Sequence, residues 1–97
     1  VSVGVLTVLL AFVDLGTAYG SLLFWVQNTG AEAITLFIDA GESAPYVDQQ
    51  SRQSFQVPAG EALGFPMNDL LQRLWRLSAQ TASGTTTVQW GISGIAR

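Results

Sequence analysis

The sequence predicts an all-β domain, a small antiparallel β-sandwich or jelly-roll-like barrel of about seven to eight strands. Three observations carry that expectation. Turn signals recur at "DLGTAYG" (14–20), "NTG" (28–30), "DAGESAP" (39–45), "PAG" (58–60) and "SG" (83–84). The runs between them are apolar or alternating and roughly 6–11 residues long, the length of strands rather than helices. The composition is 48% apolar but only 11% charged, against about 25% charged in an ordinary globular chain. Uncharged surface on that scale is often surface that touches something.

The 97 residues make one domain, residues 1–97, able to bury roughly 60–65% of the surface of its unfolded chain. The first strand is expected near 3–13, in "VSVGVLTVLLAFV". That run ends at Asp14, short of the ~20 residues of a spanning helix, and it has no basic segment before it, so neither a membrane span nor a signal peptide is expected. Val, Thr and Phe favour a strand there. It is apolar on both sides, with Val3, Val5, Leu9 and Val13 against Leu6, Val8, Leu10 and Phe12.

The second strand, 20–28, places Leu22, Phe24 and Val26 on one face and Leu23 and Trp25 on the other. The third, 33–39, does the same with Ile34, Leu36 and Ile38 opposite Phe37. Further strands are expected at 51–57 and 61–67, with a short one near 46–49. In "VPAGEALGF" Pro58 presets φ and Gly60 supplies a left-handed turn conformation, which reads as a hairpin. "NDLLQRLWRLSA" has helical spacing after Asn68, and a single turn at 68–72 followed by a strand at 73–80 reconciles it with the alternation beyond.

That strand and the last, 85–93, read as a hairpin about Ser83-Gly84. Trp75, Leu77 and Ala79 then share an apolar face with Ile92, Trp90 and Val88, while Arg76, Ser78 and Gln80 share a polar face with Gly91, Gln89 and Thr87. The two tryptophans, Trp75 and Trp90, are therefore expected in the core and not on a binding platform.

The chemistry of the chain is sparse. It has no His, Cys or Lys, so the common nucleophile–base pairs are missing and no enzyme activity is expected. A net charge of −3 without a basic run argues against nucleic-acid binding. Asp39, Glu42 and Asp48 fall in one loop, but their spacing fits no EF-hand and turn chemistry accounts for them. No metal and no cofactor is expected. Tyr46 in that loop and Trp25 are the aromatics best placed for an exposed contact, with a sugar or with a partner protein.

The segments "VQNTGAEAITLFIDAG", "FQVPAGEALGF" and "LWRLSAQTASGTTTVQWGIS" resemble those of small β-sandwich structural proteins of tailed phages and other viruses, such as head decoration, neck or fibre and small capsid subunits. The resemblance is one of style across residues 20 to 93 and matches no defining motif, so it carries over no site residue. It implies a non-enzymatic virion component built as a symmetric oligomer, located in the particle or at an extracellular surface and in contact with other structural proteins there. The residues themselves point to self-association, because one small sandwich covers only one face of each sheet. The expected interface comprises Leu23, Trp25, Phe37, Val3, Val5 and Leu9. The rival readings are a carbohydrate- or receptor-binding module using Trp25 and Tyr46, and a pilus or surface-filament subunit donating Val1–Val13 as a strand.

Overall fold

The computed structural model describes residues 1–41, 51–67 and 72–96. Eight strands and no helix occur among them: β1 (Ser2–Val3), β2 (Thr7–Asp14), β3 (Tyr19–Asn28), β4 (Ile34–Gly41), β5 (Ser51–Val57), β6 (Ala62–Met67), β7 (Leu74–Thr81) and β8 (Thr86–Ala96). They form two four-stranded antiparallel sheets. Sheet I runs β1-β8-β3-β6 and sheet II runs β2-β7-β4-β5. First pairs with last, second with seventh, third with sixth and fourth with fifth, as if one long hairpin had been rolled up. This is the jelly-roll order, one of the two architectures that the sequence predicts.

The roll decides where each turn leads. Among the described strands, only β4 and β5 are both consecutive and paired. The tight turn at Ser83-Gly84 does not close a hairpin, because β7 pairs with β2 and β4 while β8 pairs with β1 and β3. "VPAGE" likewise carries the chain from sheet II to sheet I. Its local chemistry is as expected, with Gly60 at φ 80° and the Glu61 amide donating to the Pro58 carbonyl at 3.2 Å. The sequence reading of both turns as hairpins is thus corrected: each joins strands that face one another across the core instead of lying side by side. Strand faces are unaffected, since the side-chain period is two in either arrangement.

A second correction concerns the N-terminus. Residues 3–13 are not one strand. Val3 belongs to β1 and is fully buried in the core, and the chain then crosses to sheet II through Gly4–Leu6, leaving Val5 86% exposed. Of the two apolar faces read from the sequence, Val5 and Leu6 lie at this crossing, while Val8, Leu9, Leu10, Phe12 and Val13 lie on β2 at the edge of sheet II, where none is fully buried.

The core lies between the sheets. Leu22, Phe24 and Val26 of β3 meet Ile34, Leu36 and Ile38 of β4, with Trp75, Leu77 and Ala79 of β7 and Val88 of β8. Trp90 and Ile92 pack against this cluster while remaining half-buried. Phe24 and Trp75 are tilted at 6.0 Å between centroids, and Phe55 and Phe65 at 4.4 Å close the β5/β6 side. The Trp75 indole N–H donates to the Gln72 carbonyl at 3.0 Å, the partner that a buried indole needs. Trp75 is core, as expected, and Trp90 packs against the core half-buried. Between β2 and β3 the Asp14 carboxylate accepts from the backbone N–H and hydroxyl of Thr17. These bonds, the backbone one foremost, hold its pKa below the ordinary carboxylate value.

Candidate functional surface

The two outer faces differ in kind. No strand of sheet I contains Asp, Glu or Arg. Its outer face is built from alternate residues of three adjacent strands: Leu23, Trp25 and Gln27 on β3, Gln89, Gly91 and Ser93 on β8, and Ala62, Gly64 and Pro66 on β6. The register sets Trp25 between Gly64 and Gly91. The indole lies over Gly91 so closely that a Cβ there would overlap the ring. Glycine inside a strand is otherwise a loss of packing, and here it makes room for a large ring to lie down. Leu23 and Trp25 remain 40% and 39% exposed. Beside Leu23 a mostly apolar hollow of about 260 Å³ is lined by Ser21, Leu23, Pro66, Ser93, Gly94 and Ile95, among others. Ile95 at its rim is 72% exposed.

Sheet II presents a charged outer face. Asp39 of β4 stands opposite Arg52 of β5 and Arg76 of β7 in the register. Arg52 donates Nε to Oδ1 at 2.6 Å and Nη2 to Oδ2 at 3.1 Å. Arg76 donates Nε and Nη2 to Oδ2 at 3.0 and 2.7 Å. Each guanidinium also covers a ring, Arg52 over Phe37 at 4.7 Å and Arg76 over Phe12 at 4.4 Å. Burial pushes the Asp39 pKa up, but the hydrogen bonds and charges of Arg52 and Arg76 outweigh it, leaving the carboxyl below its ordinary value. The sequence reading counted Asp39 as a turn former and missed this network. The signal was opposite charge on strands whose pairing the sequence does not reveal.

The residues expected at an interface therefore separate. Leu23 and Trp25 share the outer face of sheet I. Phe37 does point away from the core, but from the other sheet, where Arg52 covers it. Leu23, Trp25 and Phe37 do not form one patch. Val3 is core, Leu9 is half-buried against the core cluster, and Val5 is exposed at the crossing. Tyr46 and the short strand near 46–49 lie outside the described residues, as do Glu42 and Asp48 and most of the turn expected at 68–72.

Among the described residues no group of His, Cys, Asp and Glu is arranged to hold a metal, and Asp39 gives both its oxygens to arginines. Chelation with EDTA is expected to leave the melting temperature unchanged, and a fall of several degrees would bring Asp39, Glu42 and Asp48 back as ligands. No helix of the described residues is long and apolar enough to cross a membrane. Comparison with protein-family models, with curated proteins and with solved structures finds no match to this chain.

Proposed function

We propose that this chain is a non-enzymatic structural subunit that self-assembles through the outer face of sheet I, as a component of a virus particle of the capsid decoration, neck or fibre kind. The observation that carries the reading is the absence of charge from every strand of that sheet, combined with Leu23, Trp25 and Ile95 in water. A surface facing only solvent is usually about 25–35% charged, and contiguous apolar patches are uncommon on monomers. The jelly roll supports the reading without deciding it, since capsid and lectin domains both use the fold.

Light scattering on the purified chain tests assembly. The expected mass is a multiple of 10.3 kDa. Leu23→Ser with Trp25→Ser should weaken assembly at least about tenfold, because each large side chain forgoes part of the roughly 1.5–3 kcal/mol of a full burial. The far-UV spectrum should be unchanged, as neither residue belongs to the inner rows. A stable monomer at tens of micromolar refutes the proposal.

A second reading rests on one feature. An indole lying flat on a sheet over Gly91 is also a stacking surface for a sugar ring. Quenching of Trp25 fluorescence by oligosaccharides in a monomeric chain would select the carbohydrate-binding module instead.

A further inference from the structure

Four strand edges bound the two sheets, and three carry features that resist pairing with another chain. β6 contains Pro66, β5 contains Arg52, and β2 has register irregularities between Val8 and Leu10 and between Leu10 and Val13. Proline, charge and bulges are the devices that keep edge strands from joining. The fourth edge has none. β1 covers only the start of β8, through Ser2↔Thr87, Val3↔Thr86 and the exchange of bonds between Val1 and Val88 at 2.8 and 2.9 Å. Beyond it, among the described residues, Gln89–Ala96 has a neighbour strand only on the β3 side. This segment contains neither charge nor proline.

Backbone geometry says which groups are offered. In an antiparallel strand the N–H and C=O of one residue point to the same side, and the side alternates. Those of Val88 point to Val1. The register with β3 is unbroken from Val88 to Ile95, so the pairs of Trp90, Ile92 and Gly94 point to the open side.

We propose that Gln89–Ile95 of β8 pairs antiparallel with the same segment of a second copy, about a two-fold axis at Ile92, to make one continuous eight-stranded sheet. The inference deepens the self-assembly reading and rests on it, but it uses an edge where that reading uses a face. The segment is complementary to itself in this register. Trp90 comes opposite Gly94, Ile92 opposite Ile92, Gly91 opposite Ser93 and Gln89 opposite Ile95. Trp90 meets a glycine, the Ile92 pair is apolar, and no like charges meet. About six backbone hydrogen bonds form, and the half-buried Trp90 and Ile92 gain neighbours. The contact is isologous, so it closes as a dimer, and the face of sheet I remains available to extend the assembly.

The chain has no cysteine, which makes Ile92→Cys a clean probe. Opposed residues at such a hydrogen-bonded position have Cα atoms about 5.5 Å apart, inside the ~4.4–6.8 Å that a disulfide spans. Under mild oxidation at low concentration the variant should become mostly disulfide-linked dimer. Val5→Cys, at a freely exposed position, should cross-link at least about tenfold more slowly, having only a bulk encounter rate. In the unmodified chain the amides of Trp90, Ile92 and Gly94 should be protected from hydrogen exchange at assembling concentration and lose protection on dilution. This second measurement holds even if Ile92→Cys fails to fold. Cross-linking at 92 no faster than at 5 overturns the proposal. So does protection that is independent of concentration, since the edge would then be covered within one chain. A chain that stays monomeric by light scattering overturns both this contact and the face reading, whereas one that assembles without either signal overturns the edge alone.

Discussion

Asp39→Ala should lower the free energy of unfolding by about 2–4 kcal/mol, measured as a fall in the urea midpoint with an unchanged slope. The carboxylate is fully buried on the outer face of sheet II and accepts four hydrogen bonds from two guanidiniums. Removing it leaves two cations facing each other across a gap. Breaking a fully buried pair costs about 3–5 kcal/mol, but here the arginine side chains keep 37% and 20% of their exposure. Water can therefore reach the orphaned heads, which sets the expectation below the upper end. Replacing all three residues by apolar ones, as Asp39→Leu with Arg52→Met and Arg76→Met, should recover most of the loss, because no charge is then left unpaired. If the triple variant is as weak as the single one, the network matters for more than its own neutralisation.

The same network predicts the acid limb of stability. The folded pKa of Asp39 is depressed by Arg52 and Arg76 against the opposing effect of burial. A carboxyl with a lowered folded pKa contributes stability that is complete above its unfolded value and is lost as pH falls through the folded one. The wild-type chain should lose stability below about pH 4, and Asp39→Ala should flatten that limb. Asp14, held low by Thr17, acts in the same direction and remains in the variant, so some slope should survive.

The strands and their faces were legible in the sequence, and their neighbours were not. Alternation in "SLLFWVQN" and "AITLFID" assigned inward and outward residues correctly, because that property is local and has period two. Which strand lies beside which is settled by how two sheets close over a shared core, through contacts far apart in sequence. Ser83-Gly84 and Pro58–Gly60 serve a sheet-to-sheet crossing as well as a hairpin, so the turn residues alone misled. Gly4 was the visible sign that 3–13 is interrupted, since glycine inside a strand often marks a bend, and its flanking valines concealed it. The site was half-read for the same reason. Leu23 and Trp25 pointed outward as expected, but grouping them with Phe37 needed the sheet assignment. The charge-free sheet and the Asp39 network both appear only once the strands are sorted.

Asn28→Asp should be a severely destabilising change despite being isosteric, at about 3 kcal/mol or more. The sequence marks Asn28 only as the start of a turn, yet its side chain is fully buried and every polar group on it is used. Nδ2 donates to the carbonyls of Glu32 and Val57 at 2.7 and 3.2 Å, while Oδ1 accepts from the Gly30 amide and the Thr86 hydroxyl at 3.2 and 2.7 Å. Its backbone is held as well, the N–H donating to the Glu61 carbonyl and the C=O accepting from Gly60. One residue thus joins β3 and β8 of sheet I, the end of β5 in sheet II, and two of the turns that roll the sheets together. A carboxylate has the same shape but turns the donor into an acceptor that faces two carbonyl oxygens, and it buries a charge with no cation among these four partners. Protonation restores one donor. The introduced carboxyl should therefore have a raised folded pKa, and a raised value means stability present at low pH and lost as pH rises. The deficit relative to wild type should accordingly be smaller near pH 4 than at pH 7, the reverse of the Asp39 effect. Urea unfolding of both chains at the two pH values measures it. A loss below about 1 kcal/mol, or one independent of pH, would show that the site relaxes or admits water, and that this junction does not hold the roll closed.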